Sequence, residues 1–374
     1  MKLCIITRSV IKGDGQGRAN YEIVWEAIRR QHHITLLSSN VEPELQQHSQ
    51  VTWIDISVKR WPTQLISNLI FSWRSTVWLQ KHRADFDLVQ AYGTVTAAAT
   101  DVNTVQFVHS GWLRSPVHPW RLRRDIYGAY QWLYNALNAY WEKKTLCQAK
   151  IVVAVSQKIK QELIDLGVPK ERIQVILNGV DLQEFFSEYV DRDQLGLPEK
   201  VTLALFVGDI RTPRKNLATV LNALPQVPDL HLVVVGATER SPYPELAVKL
   251  GLDNRVHFLG YRRDVSKIMK AVDLFVFPSR YEPFGMVVSE AMASGLPIIT
   301  TVTTGAAEIV TREGGIILSD SEDVQALTEA LGKLASDREL RQQMGKVGRA
   351  IAQQHSWDSK TKSYLDLFED ICKS

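Results

Sequence analysis

Short apolar runs rich in β-branched residues alternate with helical patterns along almost the whole chain, and this alternation limits the fold more than any other feature. A strand that reads as a continuous apolar run is buried on both faces, and a helix between successive strands makes them parallel. A first series of strands is expected at residues 3–6, 34–37, 51–54, 88–91, 105–108, 151–155 and 174–177. A second is expected at 203–207, 232–235, 256–259, 274–277, 297–300 and 315–318. Between them the charged, aperiodic stretch from Asp181 to Pro198 reads as a linker. A chain of 374 residues also exceeds what one hydrophobic core serves. The expectation is therefore an α/β protein of two Rossmann-like domains, residues 1–185 and 186–356. Helical periodicity at 324–334, 340–354 and 359–371 completes the pattern, with segment 357–374 expected to pack back on the first domain.

The bulk numbers exclude several classes. A net charge of +3 is too small to argue for nucleic acid, and no such partner is expected. Cys4, Cys147 and Cys372 lack the spacing of a metal site or disulfide framework and read as reduced thiols, Cys4 in a buried strand. The first apolar run is too short for a signal peptide, and none reaches the ~18 residues that span a bilayer. The expected location is cytoplasmic, with any membrane contact peripheral, on the inner face of the plasma membrane.

Two loops follow first strands. Gly13-Asp14-Gly15-Gln16-Gly17-Arg18 leads into a helix whose apolar face is Tyr21, Val24, Trp25 and Ile28. It reads equally as a tight turn or as an anion site at a helix N-terminus. Its spacing is not that of a dinucleotide fingerprint, and no acidic residue ends the run 34–37, so a nicotinamide enzyme is disfavoured. In the second domain, Gly208-Asp209-Ile210-Arg211-Thr212-Pro213-Arg214-Lys215 puts three cations on one loop at a strand's carboxyl end. Such a loop is a solvated basic turn or a site for a diphosphate whose charge grows as a bond breaks.

The most specific segment is Phe277-Pro278-Ser279-Arg280-Tyr281-Glu282-Pro283-Phe284-Gly285-Met286, continuing through Glu290 to Gly295-Leu296-Pro297. Glu282 falls in a loop beyond a strand, and Glu290 falls about two turns into the following helix, on roughly the side of its start. This frame resembles the E-x7-E signature of the retaining glycosyltransferases of family 4, which have the GT-B fold of two Rossmann-like domains facing across a cleft. The likeness runs from the Gly13 loop through His109 and Lys215 to the C-terminal helix.

The resemblance implies that Glu282 binds hydroxyls of the donor sugar and Glu290 the ribose. Backbone near Phe284, Gly285 and Met286 would meet the sugar or diphosphate, Lys215 and Arg211 would neutralise the diphosphate, and backbone near Tyr261 and Arg262 would hold the base. His109, in Gln106-Phe107-Val108-His109, would stand beside the anomeric centre; His109, Lys215 and Glu282 form the expected catalytic set. Gly15 and Gly17 are expected against the donor, Arg18 and Trp112 on the acceptor side. The donor would be a UDP- or GDP-sugar, transferred with retention and without a bound metal or cofactor. Two departures stand out: Asp209 occupies the place of the family's usual arginine, and Asp14 interrupts the paired glycines. Asp85-Phe86-Asp87 resembles the metal-binding Asp-x-Asp of the other glycosyltransferase fold but reads as a helix–strand turn.

Tryptophans 112, 120, 132 and 141 stand among Arg114, Arg121, Arg123, Arg124, Lys143 and Lys144, and Ile126, Tyr130, Leu133, Leu137 and Trp141 fall at helical spacing. A second aromatic–basic stretch runs from Arg60 and Trp61 to Arg83, with Leu65, Leu69, Trp73 and Trp78. These suit helices lying on an anionic membrane, or equally helices packed on the first sheet. The acceptor would then be a lipid, a saccharide of cell-envelope or exopolysaccharide synthesis, or a soluble small molecule. The competing functions are a sugar-nucleotide epimerase on the same fold and a sugar-nucleotide-binding module without turnover. A phosphorylase would need a much longer chain.

Overall fold

The computed structural model describes residues 1–13, 15–58, 61, 63–186 and 190–373; Asp14 and Arg60 lie outside the described residues. It divides into two compact units, Met1–Gly179 with Trp357–Ser374, and Val180–Ser356.

In the first unit seven parallel strands run across the sheet in the order Val51–Asp55, His33–Ser38, Lys2–Ile6, Leu88–Tyr92, Val102–Val105, Ile151–Ala154 and Ile173–Val175. The first strand is central because both of its faces are apolar. Leu3 and Ile5 pack with Val24, Ile28, Tyr364 and Phe368 on one side, Cys4 and Ile6 with Phe71 and Leu79 on the other. Each such fully buried side chain stabilises by about 1.5–3 kcal/mol. Burial also pushes the Cys4 thiol up to about 12, which leaves it an inert packing group. Helix Trp357–Lys373 closes one face of this unit; Arg30 meets Asp366 at 2.8 Å and Glu369 at 2.9 Å.

In the second unit six parallel strands follow the order Val256–Phe258, Leu230–Val235, Thr202–Val207, Leu274–Phe277, Ile298–Thr301 and Gly315–Leu318. In both sheets the winding reverses beside the first strand, so the loops after the first and fourth main strands part and leave a crevice at the carboxyl edge.

Two expectations are corrected. The strand expected at 105–108 is Val102–Val105, ending where the expected run begins. Its polar residues hide it in the sequence but are satisfied inside: Asn103 Oδ1 accepts from Gly93 N at 2.8 Å, and Asn103 Nδ2 donates to Gly93 O at 3.0 Å. The stretch read as a linker is in part anchored. Arg192, buried, donates to Ala271 O at 2.7 Å and Val201 O at 2.8 Å and pairs with Asp273 at 2.7 Å. Residues 187–189 of that stretch lie outside the described residues.

Candidate active site

At the crevice of the second unit, the loops after Val207 and Phe277 are tied together. Ser279 Oγ and Arg280 N both donate to Arg214 O, at 3.1 and 2.9 Å. The Arg280 guanidinium donates to Pro213 O at 2.7 Å and grips Glu322 at 2.5 and 2.7 Å. Asn216, in the left-handed conformation, caps helix Leu217–Ala223 and donates to Ser321 O at 2.6 Å. The result is that Lys215 Nζ meets Glu282 Oε2, both side chains nearly buried, with the ammonium 5.1 Å from the centre of the Phe277 ring. Burial pulls the Lys215 ammonium down from its usual range, and Glu282 opposes that shift.

Two glycines make room. A side chain at Gly208 would press on Lys215 Cγ at 3.3 Å. Gly285, at φ +93°, begins helix Met286–Ala293, and a Cβ there would stand 3.0 Å from Glu282 Cγ. Glu282 N donates to Thr303 O at 3.1 Å, so the loop backbone is held beside strand Ile298–Thr301. Glu290 is half-buried on the same helix as Met286. Phe284 is buried.

The side chains of other expected donor residues are held locally or stand exposed. Arg211 is bound by Asp209, at 2.9 and 3.0 Å, so the acid in the arginine's place also cancels the charge nearby. Arg262 donates to Asp264 at 2.7 and 2.6 Å, and Tyr261 is 71% exposed.

In the first unit, His109 opens helix His109–Arg114, not a strand end. Asn135 Nδ2 donates to Gln131 O at 2.7 Å, which leaves its Oδ1, at 2.7 Å, to accept from His109 Nδ1. The imidazole therefore keeps its proton on Nδ1 and offers Nε2 as an acceptor. Glu142 accepts from His109 N at 2.9 Å; burial raises its carboxyl well above the usual range. Burial likewise lowers His109 to about 4. Gly15 and Gly17 lie in the first turn of helix Gly15–Arg29, not in a loop before it. Arg18 pairs with Glu22 at 2.6 Å, and Trp112 is buried 5.4 Å from the His118 ring; neither lines the cavity beside His109. Asp85 ends a short turn and Asp87 accepts from Lys2 N at 2.7 Å, a helix–strand connection. Among the described residues no group of three or more His, Cys, Asp or Glu could hold a metal ion.

Arg280, Asn216, Asn135 and Glu142 were missed in the sequence. Only the last pair left a signal: Asn135, Asn138 and Glu142, spaced by three and four, mark a polar stripe on an otherwise apolar helix.

This doubly built fold has solved counterparts. Sucrose-phosphate synthase from Thermosynechococcus elongatus superposes with a TM-score of 0.82 at 20% identity, over 99% of this chain and 98% of that one. HepE of Anabaena, solved in complex with UDP-glucose, gives 0.72 at 21%, over 99% and 100%. The fold is GT-B. The model of glycosyltransferase family 4 matches residues 13–184 and that of glycosyl transferases group 1 matches 188–351. Between them they take in most of the chain, which belongs to this family of glycosyltransferases. Among sequence relatives, the lipopolysaccharide glucosyltransferase WaaG of Escherichia coli K12 is 30% identical over 61% of this chain and 65% of its own length. The chain spans 59–63% of the length of three other curated relatives that it matches.

Two measurements test this geometry. Lys215→Met should lower the free energy of unfolding by about 3 kcal/mol, because it strands a buried carboxylate, and adding Glu282→Gln should recover more than half. Additive losses in denaturant titrations would refute the pairing. For His109, the unfolded imidazole binds a proton near 6.5 while the folded one waits until about 4. Stability linked to it is thus present above pH 6.5 and lost as the pH falls toward 4. Its ring signals in NMR should stay those of a neutral imidazole at pH 5.5; a midpoint near 6.5 would contradict its burial.

Proposed function

We propose that the chain is a retaining, metal-independent glycosyltransferase that moves a hexosyl group from a nucleoside-diphosphate sugar to an acceptor hydroxyl. The observation that carries this reading is the meeting of Lys215 and Glu282 at the crevice of the second sheet. Without donor, the two charges satisfy each other. A donor would part them: its diphosphate takes the ammonium, and its sugar hydroxyls donate to the carboxylate. Negative charge grows on the diphosphate as the glycosidic bond breaks, so Lys215 stabilises the transition state more than the ground state. Glu290 and the amides at the start of helix Met286–Ala293 would complete the donor site. Neutral His109 would offer Nε2 to a hydroxyl beside the reacting carbon. HepE, whose structure holds UDP-glucose, is a neighbour of the same fold and makes UDP-sugars the first donors to try.

The acceptor is proposed to be presented at an anionic membrane. Helix Ile126–Leu146 is inside out: it buries Asn135, Asn138 and Glu142 and exposes Ile126 (91%), Tyr127, Trp132, Leu133 and Tyr140. Helix Gln64–His82 buries Phe71 and Leu79 in the core together with Ser67 and Ser75, and still exposes Ile66, Leu69, Trp73 (65%) and Val77. Asn68 Nδ2 donates to Tyr134 Oη at 3.1 Å, so the two helices are neighbours. Apolar surface of this extent beside Arg121, Arg123 and Arg124 suits a lipid interface. Among the described residues no helix is long and apolar enough to cross a membrane.

Lys215→Ala and Glu282→Ala should each lower transfer by at least about a hundredfold. Activity close to that of the unmodified chain in either would refute the site. In sedimentation with vesicles, the protein should follow anionic but not neutral lipid and be released by salt. Failure to bind either kind would end the membrane reading.

A further inference from the structure

The crevice of the first sheet contains a cation that the reading above does not use. Arg8 follows strand Lys2–Ile6 and lines a cavity of about 220 Å³ together with Gln64, Asn68, Thr104, Tyr134 and His109. This lies where the winding of the first sheet reverses, between the loops after Ile6 and Tyr92, the position at which open α/β sheets take ligands. Arg8 donates to Asn68 Oδ1 at 2.8 Å and to Ser67 Oγ at 3.1 Å, and its guanidinium carbon stands 5.3 Å from the centre of the Phe71 ring. Among the described residues it has no carboxylate within ion-pair distance. A guanidinium has five N–H donors in a planar fork; an amide and a hydroxyl occupy two of them and cancel none of its charge. Holding an uncompensated cation half-buried costs stability, and an oxyanion recovers it through two parallel charge-assisted hydrogen bonds.

The rest of the cavity suits a polyol. Asn68 passes from Arg8 to the Tyr134 hydroxyl, and the Tyr134 ring stands edge-on to His109 at 5.6 Å. His109 Nε2 accepts, while Thr104 and Gln106 add hydroxyl and amide groups to the lining. Glu142 also lines the cavity, but it is engaged with His109 N, and burial raises its pKa. The volume lies below the usual 300–1,000 Å³ of small-molecule sites and fits one sugar-sized unit.

From these observations we infer that the cavity is the acceptor subsite and that it selects an acceptor bearing an oxyanion, phosphate or carboxylate, gripped by Arg8 while a hydroxyl of the same molecule reaches His109. The inference rests on the glycosyl-transfer reading for the word acceptor; the anion site itself is independent of it.

The test follows the arginine Nε–H and histidine ring signals of the whole protein by NMR during titration with inorganic phosphate and, separately, with acetate at constant ionic strength. Lys215→Ala serves as background, so that binding at the donor loop does not contribute. The Arg8 signal, identified by its loss in Arg8→Gln, and the His109 signals should shift and saturate. The arm with the lower Kd names the group. In Arg8→Gln the His109 response should vanish, and in Arg8→Lys, which keeps the charge but not the fork, it should weaken about tenfold. No saturating shift with either anion, or a His109 response unchanged in Arg8→Gln and Arg8→Lys, overturns the inference. UDP binding and sugar transfer from UDP-glucose are measured on the unmodified protein alongside. Transfer without an anion response defeats this inference alone, and an anion response without UDP binding or transfer defeats the enzymatic reading alone.

Discussion

Both sheets here are open, parallel and wound outward in two directions from an interior first strand, and the candidate sites depend on that arrangement. In each unit the first strand lies inside the sheet, with the winding reversing next to it. The backbone cannot fill the gap that this reversal leaves at the carboxyl edge. In the second unit Lys215 and Glu282 come to that gap, and in the first Arg8 and His109 come to it. Both sites are therefore by-products of how the hydrophobic runs are ordered, furnished afterwards with charge.

The two sites differ in how they are furnished. Lys215 and Glu282 neutralise each other, so the loop of the second unit is a closed electrostatic unit that a ligand would have to open. Arg8 has neutral partners only. The first arrangement favours release as much as capture, since the departing ligand is replaced by the protein's own counter-charge. The second favours capture. The glycosyl transfer proposed above would have use for both: a nucleotide product must leave, and an acceptor must wait.

Most of the strands, the plan of two Rossmann-like units, and the loop position of Glu282 and helix position of Glu290 were legible because apolar periodicity and the Pro-Phe-Gly turn are local signals. Strand Val102–Val105 was not, because its Asn103 and Thr104 look like loop residues until Gly93 is brought opposite them. The pairing of Arg211 was hidden for a similar reason: Asp209 reads in the sequence as a missing arginine, whereas it is also a partner that occupies Arg211. The periodic stripe on helix Ile126–Leu146 was correctly seen as apolar, yet periodicity does not tell which face is inside. Only contacts far along the chain, from Asn135 and Glu142 to His109, settle that the polar face is buried.

That polar inner face has a consequence for alignment. A helix held by apolar packing can rotate a little about its axis at small cost, because dispersion contacts have no direction. A helix keyed by hydrogen bonds cannot. Asn135 and Glu142 hold both the ring and the backbone of His109, so the angle at which the imidazole stands is set by the rotational phase of the helix. The outer face can then pass from water into another medium without turning the histidine. The same helix carries an exposed apolar face on one side and a fixed bearing on the other.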